Sequence, residues 1–160
     1  MILTSEKFQP AEVAVKPAEQ SIVIDRPIAE VFAFVTDQRN TPQWQAGLVE
    51  VQPLTEGPPR VGMRYALVRQ FMGRRMEAIN EYLKYEPDTL VTFKTISGPA
   101  VEASYLFEPA AGGTRLTSRV LLRAAGPFAG LLQPIMAAGL RREMKAALPA
   151  LKALLESPGH

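Results

Sequence analysis

A chain of 160 residues and 17.5 kDa is the size of one domain, and surface scaling has it burying roughly 70% of its unfolded surface, enough for a core without covalent staples. It has no cysteine, and its one histidine is the terminal His160, which excludes disulfides, thiolate nucleophiles, Cys-ligated metal centres, Ser-His-Asp catalysis and HExxH metalloprotease chemistry. With 47% apolar and 21% charged residues, a formal net charge of +2 and scattered basic side chains, the composition is globular and carries no nucleic-acid footprint.

In chain order, residues 1–20 contain Pro10 and Pro17 among many polar side chains and read as a loosely held arm. No basic segment followed by an apolar run opens the chain, so a cytoplasmic location is expected. Residues 21–25 form a short β-rich run. Pro27, with its fixed φ and missing N–H, then suits the first turn of a helix. Ile28, Val31, Phe32 and Val35 recur at i, i+3, i+4 and i+7, the stripe of a short amphipathic helix, with Glu30 near its positive end. Asp37 is placed to cap a second short helical turn that includes Pro42 and ends near Trp44.

From Leu48 the period changes to that of strands, and turn residues divide the run into segments 48–55, 62–72, 75–85, 90–97, 101–108 and 114–123. The connections are short enough for antiparallel hairpins. In the last segment Leu116, Ser118, Val120 and Leu122 alternate with Arg115, Thr117, Arg119 and Arg123, a core face against a wet one. Val101, Ala103, Tyr105 and Phe107 form a similar face. Segment 62–72 gives no clean face, nor is the inward face of segment 75–85 fixed; an outward ladder of Arg69 with Glu77 or Glu81 is expected. After Pro127 the helical period returns and runs to about Leu155, bent or interrupted at Pro134 and Pro149. Residues 124–140 carry no charge, but they fall short of the about 20 apolar residues of a spanning helix and contain several Gly and Pro, so no transmembrane span is expected. Strand, two short helices, six antiparallel strands and one long helix make an α+β domain over residues 21–156, with 157–160 as a tail.

Ile24 to Pro27, Val31, Phe32, Val35, Asp37, Pro42 and Trp44, followed by Gly62, the stretch Gly113 to Thr117 and the Leu/Ala-rich terminal helix, resemble the START-like helix-grip superfamily (SRPBCC), in particular its polyketide cyclase/dehydrase branch. The resemblance spans roughly residues 20 to 156. It implies a curved seven-stranded antiparallel sheet gripping the long helix, with a cavity between them that in relatives holds lipids, sterols, polyketides or other apolar molecules. It supplies no universal catalytic residue.

A curved sheet and a straight helix leave space that is filled either by large side chains or by a guest. Gly130, Ala137, Ala138, Gly139, Ala146 and Ala147 keep the helix thin, either as reserved volume or as close crossings, while Ile135, Met136, Leu140 and Met144 offer adaptable apolar walls. The candidate ligand-binding residues are Trp44, Tyr65, Phe93, Tyr105, Phe107, Ser118, Ile135, Met136, Gly139 and Leu140. Tyr105 would place a polar tip in an apolar cavity, partnered by Ser118 or water. Gly139 costs about 1 kcal/mol relative to alanine inside a helix and is read as reserved space. Trp44 either borders the pocket mouth or packs the helix–sheet junction, and Asp37 is read as a structural cap.

The expected function is binding of a small hydrophobic or amphipathic molecule, lipid-, sterol- or polyketide-like. The alternatives are a cyclase or dehydratase drawing on Arg69, Glu77, Glu81, Tyr82 and Tyr105, and a protein- or membrane-contact module. No metal or cofactor is expected, because the usual thiolate and imidazole ligands are missing. The uncharged stretch, including Phe128, Leu131 and Leu132, is expected to be partly exposed and to support a homodimer or transient membrane contact.

Overall fold

The computed structural model describes residues 17–71, 73–98, 100–123 and 129–159. The arm up to residue 16, the start of the uncharged stretch with Pro127 and Phe128, and His160 lie outside them. The elements are β1 (Ala18–Ile24), α1 (Ile28–Thr36), a 3-10 helix (Gln38–Gln43), β2 (Leu48–Pro53), β3 (Arg64–Phe71), β4 (Arg74–Glu86), β5 (Leu90–Ser97), β6 (Ala100–Ala110), β7 (Gly113–Arg123) and α2 (Ala129–Glu156). β1 begins at Ala18, inside the stretch read from sequence as an arm, because its backbone pairs with β7 from Val120 down to Thr114.

All seven strands form one antiparallel sheet in the order β1-β7-β6-β5-β4-β3-β2. Register shifts between Ile79 and Asn80 and between Tyr82 and Lys84, in the long central strand β4, and between Leu48 and Glu50 in β2, bend the ribbon and raise its local twist. The sheet therefore curls into a half-barrel, an α+β helix-grip fold with α2 against its concave side. α1 starts at Pro27, whose carbonyl accepts from the N–H groups of Glu30 and Val31, and it buries Val31, Phe32, Val35 and Thr36. Asp37 caps the 3-10 helix, its side chain accepting from the Arg39 N–H.

The core has two parts. The larger joins α1, the inner faces of β3, β4, β6 and β7, and the C-terminal half of α2 through Ala147, Leu148, Leu151 and Leu155. The smaller gathers Ala103, Val120 and Met144, with Phe93, Val101 and Leu140 packed against it. α2 is thus held unevenly. Its C-terminal end is clamped to β1: Lys152 Nζ donates to the Val23 carbonyl at 2.6 Å, and the Glu156 carboxylate accepts from Lys152 at 2.6 Å and from the Asp25 N–H at 2.7 Å. Towards its other end Leu131 and Ile135 are 71% and 52% exposed. Among the described residues, no helix is long and apolar enough to cross a membrane.

The clamp has a pH signature. The backbone N–H of Asp25 and then the Lys152 ammonium hold the Glu156 carboxyl below its ordinary range. A carboxyl lowered in the folded state stabilises above its unfolded pKa, about 4.3, and that contribution is lost as pH falls through the lower folded value. The melting temperature of wild type should therefore exceed that of Glu156→Gln at neutral pH, and the gap should close below about pH 4. A gap that stays constant from pH 7 to pH 3 would show that the carboxylate does not hold the clamp.

Candidate functional site

Strand alternation and the helical repeat together build one apolar cavity. Leu67 and Arg69 reach it from β3, Phe93 and Thr95 from β5, Ala103 and Tyr105 from β6, and Ser118, Val120 and Leu122 from β7. Met136, Leu140, Glu143, Met144 and Ala147 close it from α2, and Trp44 and Gln45 from the segment after the 3-10 helix. These side chains surround about 140 Å³, with walls drawn from both parts of the core.

Within this apolar lining lies a short polar relay. Arg69 Nη1 donates to the Glu143 carboxylate, and Arg69 Nη2 donates to Gln45 Oε1 at 3.3 Å. Gln45 Nε2 in turn donates to the Tyr105 hydroxyl oxygen at 3.2 Å. The direction is fixed chemically: a guanidinium only donates, so the Gln45 oxygen must face it and the amide nitrogen must face the phenol. Burial pushes the Tyr105 hydroxyl up to about 12, so the phenol keeps its proton at neutral pH. The Tyr105 ring meets Trp44 edge to face, with centroids 6.1 Å apart. Trp44 is only 4% exposed, and its indole Nε1 finds no hydrogen-bond partner among the described residues. Gly47 makes room for Glu143, since a Cβ there would stand 2.8 Å from the carboxylate oxygen Oε1.

Of the candidate residues, the cavity wall takes in Trp44, Phe93, Tyr105, Ser118, Met136 and Leu140. Tyr65 and Phe107 instead fill the core: Tyr65 packs on Tyr82, and Phe107 packs edge to face on Phe32 at 5.0 Å. Both are on inward faces, but nearer the α1 end of the half-barrel, where aromatic rings leave no space. Ile135 points largely to solvent, because the helical repeat that turns Met136 and Leu140 inward turns it out. Gly139 is partly exposed and does not belong to the described lining. Among the described residues, Ala147 is the small helix residue that borders the cavity, whereas Ala138 and Ala146 are exposed.

Two expectations about polar side chains are corrected. Arg69 does not form an outward ladder with Glu77 or Glu81: Met63, Tyr65 and Leu67 are buried, so alternation turns Arg69 inward, while Arg64 takes Glu81 at 2.7 Å. Tyr105 takes its hydrogen bond from Gln45 and not from Ser118. Tyr82 and Glu81 are held away from the cavity by partners of their own, the phenol donating to the Thr36 carbonyl at 2.6 Å. Gln45, Gly47 and Glu143 were not singled out from sequence. Glu143 does carry a signal, because it interrupts the stripe Met136, Leu140, Ala147 at i+7, where a charge on an apolar face needs a partner. Among the described residues, no three His, Cys, Asp or Glu side chains gather as a metal would require.

Residues 17–156 match the family described as polyketide cyclase/dehydrase and lipid transport. No curated protein matches the chain significantly. Among solved structures the chain is similar to TTHA0849 from Thermus thermophilus, with a TM-score of 0.76 and 17% identity over 88% of this chain and 99% of that one. It is also similar to the KanY protein (TM-score 0.71, 21% identity, 90% and 100% coverage). The di-domain ARO/CYC StfQ of the steffimycin biosynthetic pathway matches with a TM-score of 0.71 and 12% identity, over 86% of this chain and 50% of that one. At these identities the structures establish the fold alone, and the match over residues 17–156 establishes the family: the chain belongs to the polyketide cyclase/dehydrase and lipid transport family.

Proposed function

We propose that the protein binds one small apolar or amphipathic molecule between its sheet and α2. The observation that carries this reading is the cavity itself, about 140 Å³ bounded mainly by Leu, Val, Ala, Met and aromatic side chains. An engineered apolar cavity of about 150 Å³ in another protein stays dry and takes benzene, so this volume suits a ring with short substituents without rearrangement. A longer lipid or polyketide would need the N-terminal half of α2 to move outward, against the contacts of Met136 and Leu140 but not of Leu131 and Ile135, which are already exposed.

The apolar fluorophore N-phenyl-1-naphthylamine, larger than the resting cavity, is expected to bind at one per chain as the N-terminal half of α2 moves outward, and to quench Trp44 by energy transfer, since the indole borders the cavity. Titration without saturation at one equivalent, together with unchanged Trp44 emission, would refute the reading. A second reading, a cyclase or dehydratase, is favoured by Arg69, Glu143 and Tyr105 meeting at one cavity wall, and the similarity to an ARO/CYC protein is consistent with it. Native mass spectrometry of the purified protein separates the two: a carrier releases its retained molecule with unchanged mass, and an enzyme returns a product of altered mass.

A further inference from the structure

α2 is tied to the sheet near opposite edges of the ribbon. Its C-terminal end is clamped to the edge strand β1, and Glu143, midway along the helix, is held by Arg69 of β3, the neighbour of the other edge strand. The second tie therefore crosses the concave side of the half-barrel. Both of its side chains border the cavity and both stay partly exposed, 31% for Arg69 and 18% for Glu143, so the pair stands where the cavity meets water. The receiving side belongs to the sheet: Gln45 Oε1 accepts from Arg69 at 3.3 Å, and the Gly47 carbonyl accepts from the Gln70 N–H at 2.8 Å, which pins this segment to β3. The part free to move with the helix is Glu143. Its carboxylate lies against Gly47, where a Cβ would stand 2.8, 3.1 and 3.2 Å from Oε1, Cδ and Oε2. The backbone at Gly47 is not left-handed, so the missing side chain answers to the carboxylate and not to a turn.

We propose that the Arg69–Glu143 ion pair is a latch that sets how fast the cavity exchanges its guest. The inference rests on the binding function proposed above and adds the regulation of that site. A guest enters when the N-terminal half of α2 moves outward, and the pair parts in that step. When the helix returns, the pair closes over the occupied cavity as it did over the empty one. A contact present in both closed states and lost only between them changes the barrier and not the affinity. Association and dissociation rates must then move together, whereas a contact made to the guest itself acts mainly on dissociation.

The test uses 4-fluorotoluene, a neutral ring small enough for the resting cavity, with Kd and both exchange rates read by fluorine NMR on the full chain. Glu143→Gln should raise the association and dissociation rates by about fivefold each, while Kd stays within about twofold. Gly47→Ala keeps both charges but pushes the carboxylate aside, and it should do the same. Added to Glu143→Gln, it should change neither rate by more than about twofold, because the latch is already open. Glu108→Gln, an equal change of charge at an exposed position of β6, should leave both rates at their wild-type values. Raising salt from about 20 to about 500 mM should speed exchange in wild type and not in Glu143→Gln, since salt screens a partly exposed pair. Rates that stay unchanged in both latch variants and at high salt, with binding intact, would overturn the latch and leave the binding function standing. A Kd raised through dissociation alone would also overturn it, making the pair a contact to the guest. Failure of the probe to bind wild type would overturn both readings. The salt dependence of wild type decides the matter even if a variant fails to fold.

Discussion

Replacing Gly113 by alanine should be among the most damaging single substitutions in this chain. A Cβ at Gly113 would stand 2.1 Å from the Ile24 carbonyl oxygen, 2.9 Å from the Arg26 nitrogen and 3.0 Å from the Asp25 Cα. All three are backbone atoms, so no side chain can swing aside, and the chain leaving β1 must separate from the start of β7. That separation also stretches the bond from the Thr114 hydroxyl to the Arg26 carbonyl, now 2.8 Å. Overpacking of this kind costs about 3 kcal/mol or more, which for a chain of this size lowers the melting temperature by about 6 to 12 °C. Gly112, its neighbour in the same turn, is the control. It has φ of 84° but nothing within 4 Å of a Cβ, so Gly112→Ala incurs only the backbone strain, about 1–2 kcal/mol. Equal melting temperatures for the two variants would contradict the close approach.

The largest effect on binding is expected from Ala103→Leu. Ala103 is 4% exposed, borders the cavity, and sits between Phe93 on β5 and Val120 on β7. The three added carbons would enter existing space and not a packed contact. Residual cavity volume costs about 24 cal/mol per Å³, so filling half of it contributes on the order of 1–2 kcal/mol, less any rotamer strain. Binding of N-phenyl-1-naphthylamine should fall by more than about tenfold while the melting temperature is kept or raised. A variant that melts lower and still binds the probe would mean that the space at Ala103 is not the binding space.

The fold was legible because its signals are local and repeated. The stripe Ile28, Val31, Phe32, Val35 predicts α1, and alternation along 114–123 predicts the faces of β7, since each depends on residues a few positions apart. Part of the cavity wall follows from the same alternation, as Tyr105 and Ser118 show. The polar relay was not legible. Arg69 sits in a strand where both faces carry polar residues, and only the sheet's register with β4 and the approach of α2 bring it to Glu143, 74 positions away. Gln45 and Gly47 lie in an irregular segment where no period exists to assign a direction. Tyr65 and Phe107 fall in the packed core and not on the cavity wall for a related reason: alternation says that a side chain points inward but not where along the half-barrel the interior is filled and where it is open.

The order of the strands also bears on how the chain is made. β1 pairs with no neighbour in sequence; its partner is β7, with Ile22 opposite Leu116. During synthesis at about 5–20 residues per second, the first strand therefore waits on the order of 5 to 20 s for the strand that completes it. Ile22, Val23 and Ile24 remain through that interval without their native cover, and the meander β2 to β6 can form meanwhile by short-range hairpins. Closure of β1 on β7 then brings Val23 and Asp25 to the place where Lys152 and Glu156 of α2 dock. The helix can lock only after the edge has formed, so the cavity is a late product of folding, assembled when the two ends of the chain meet.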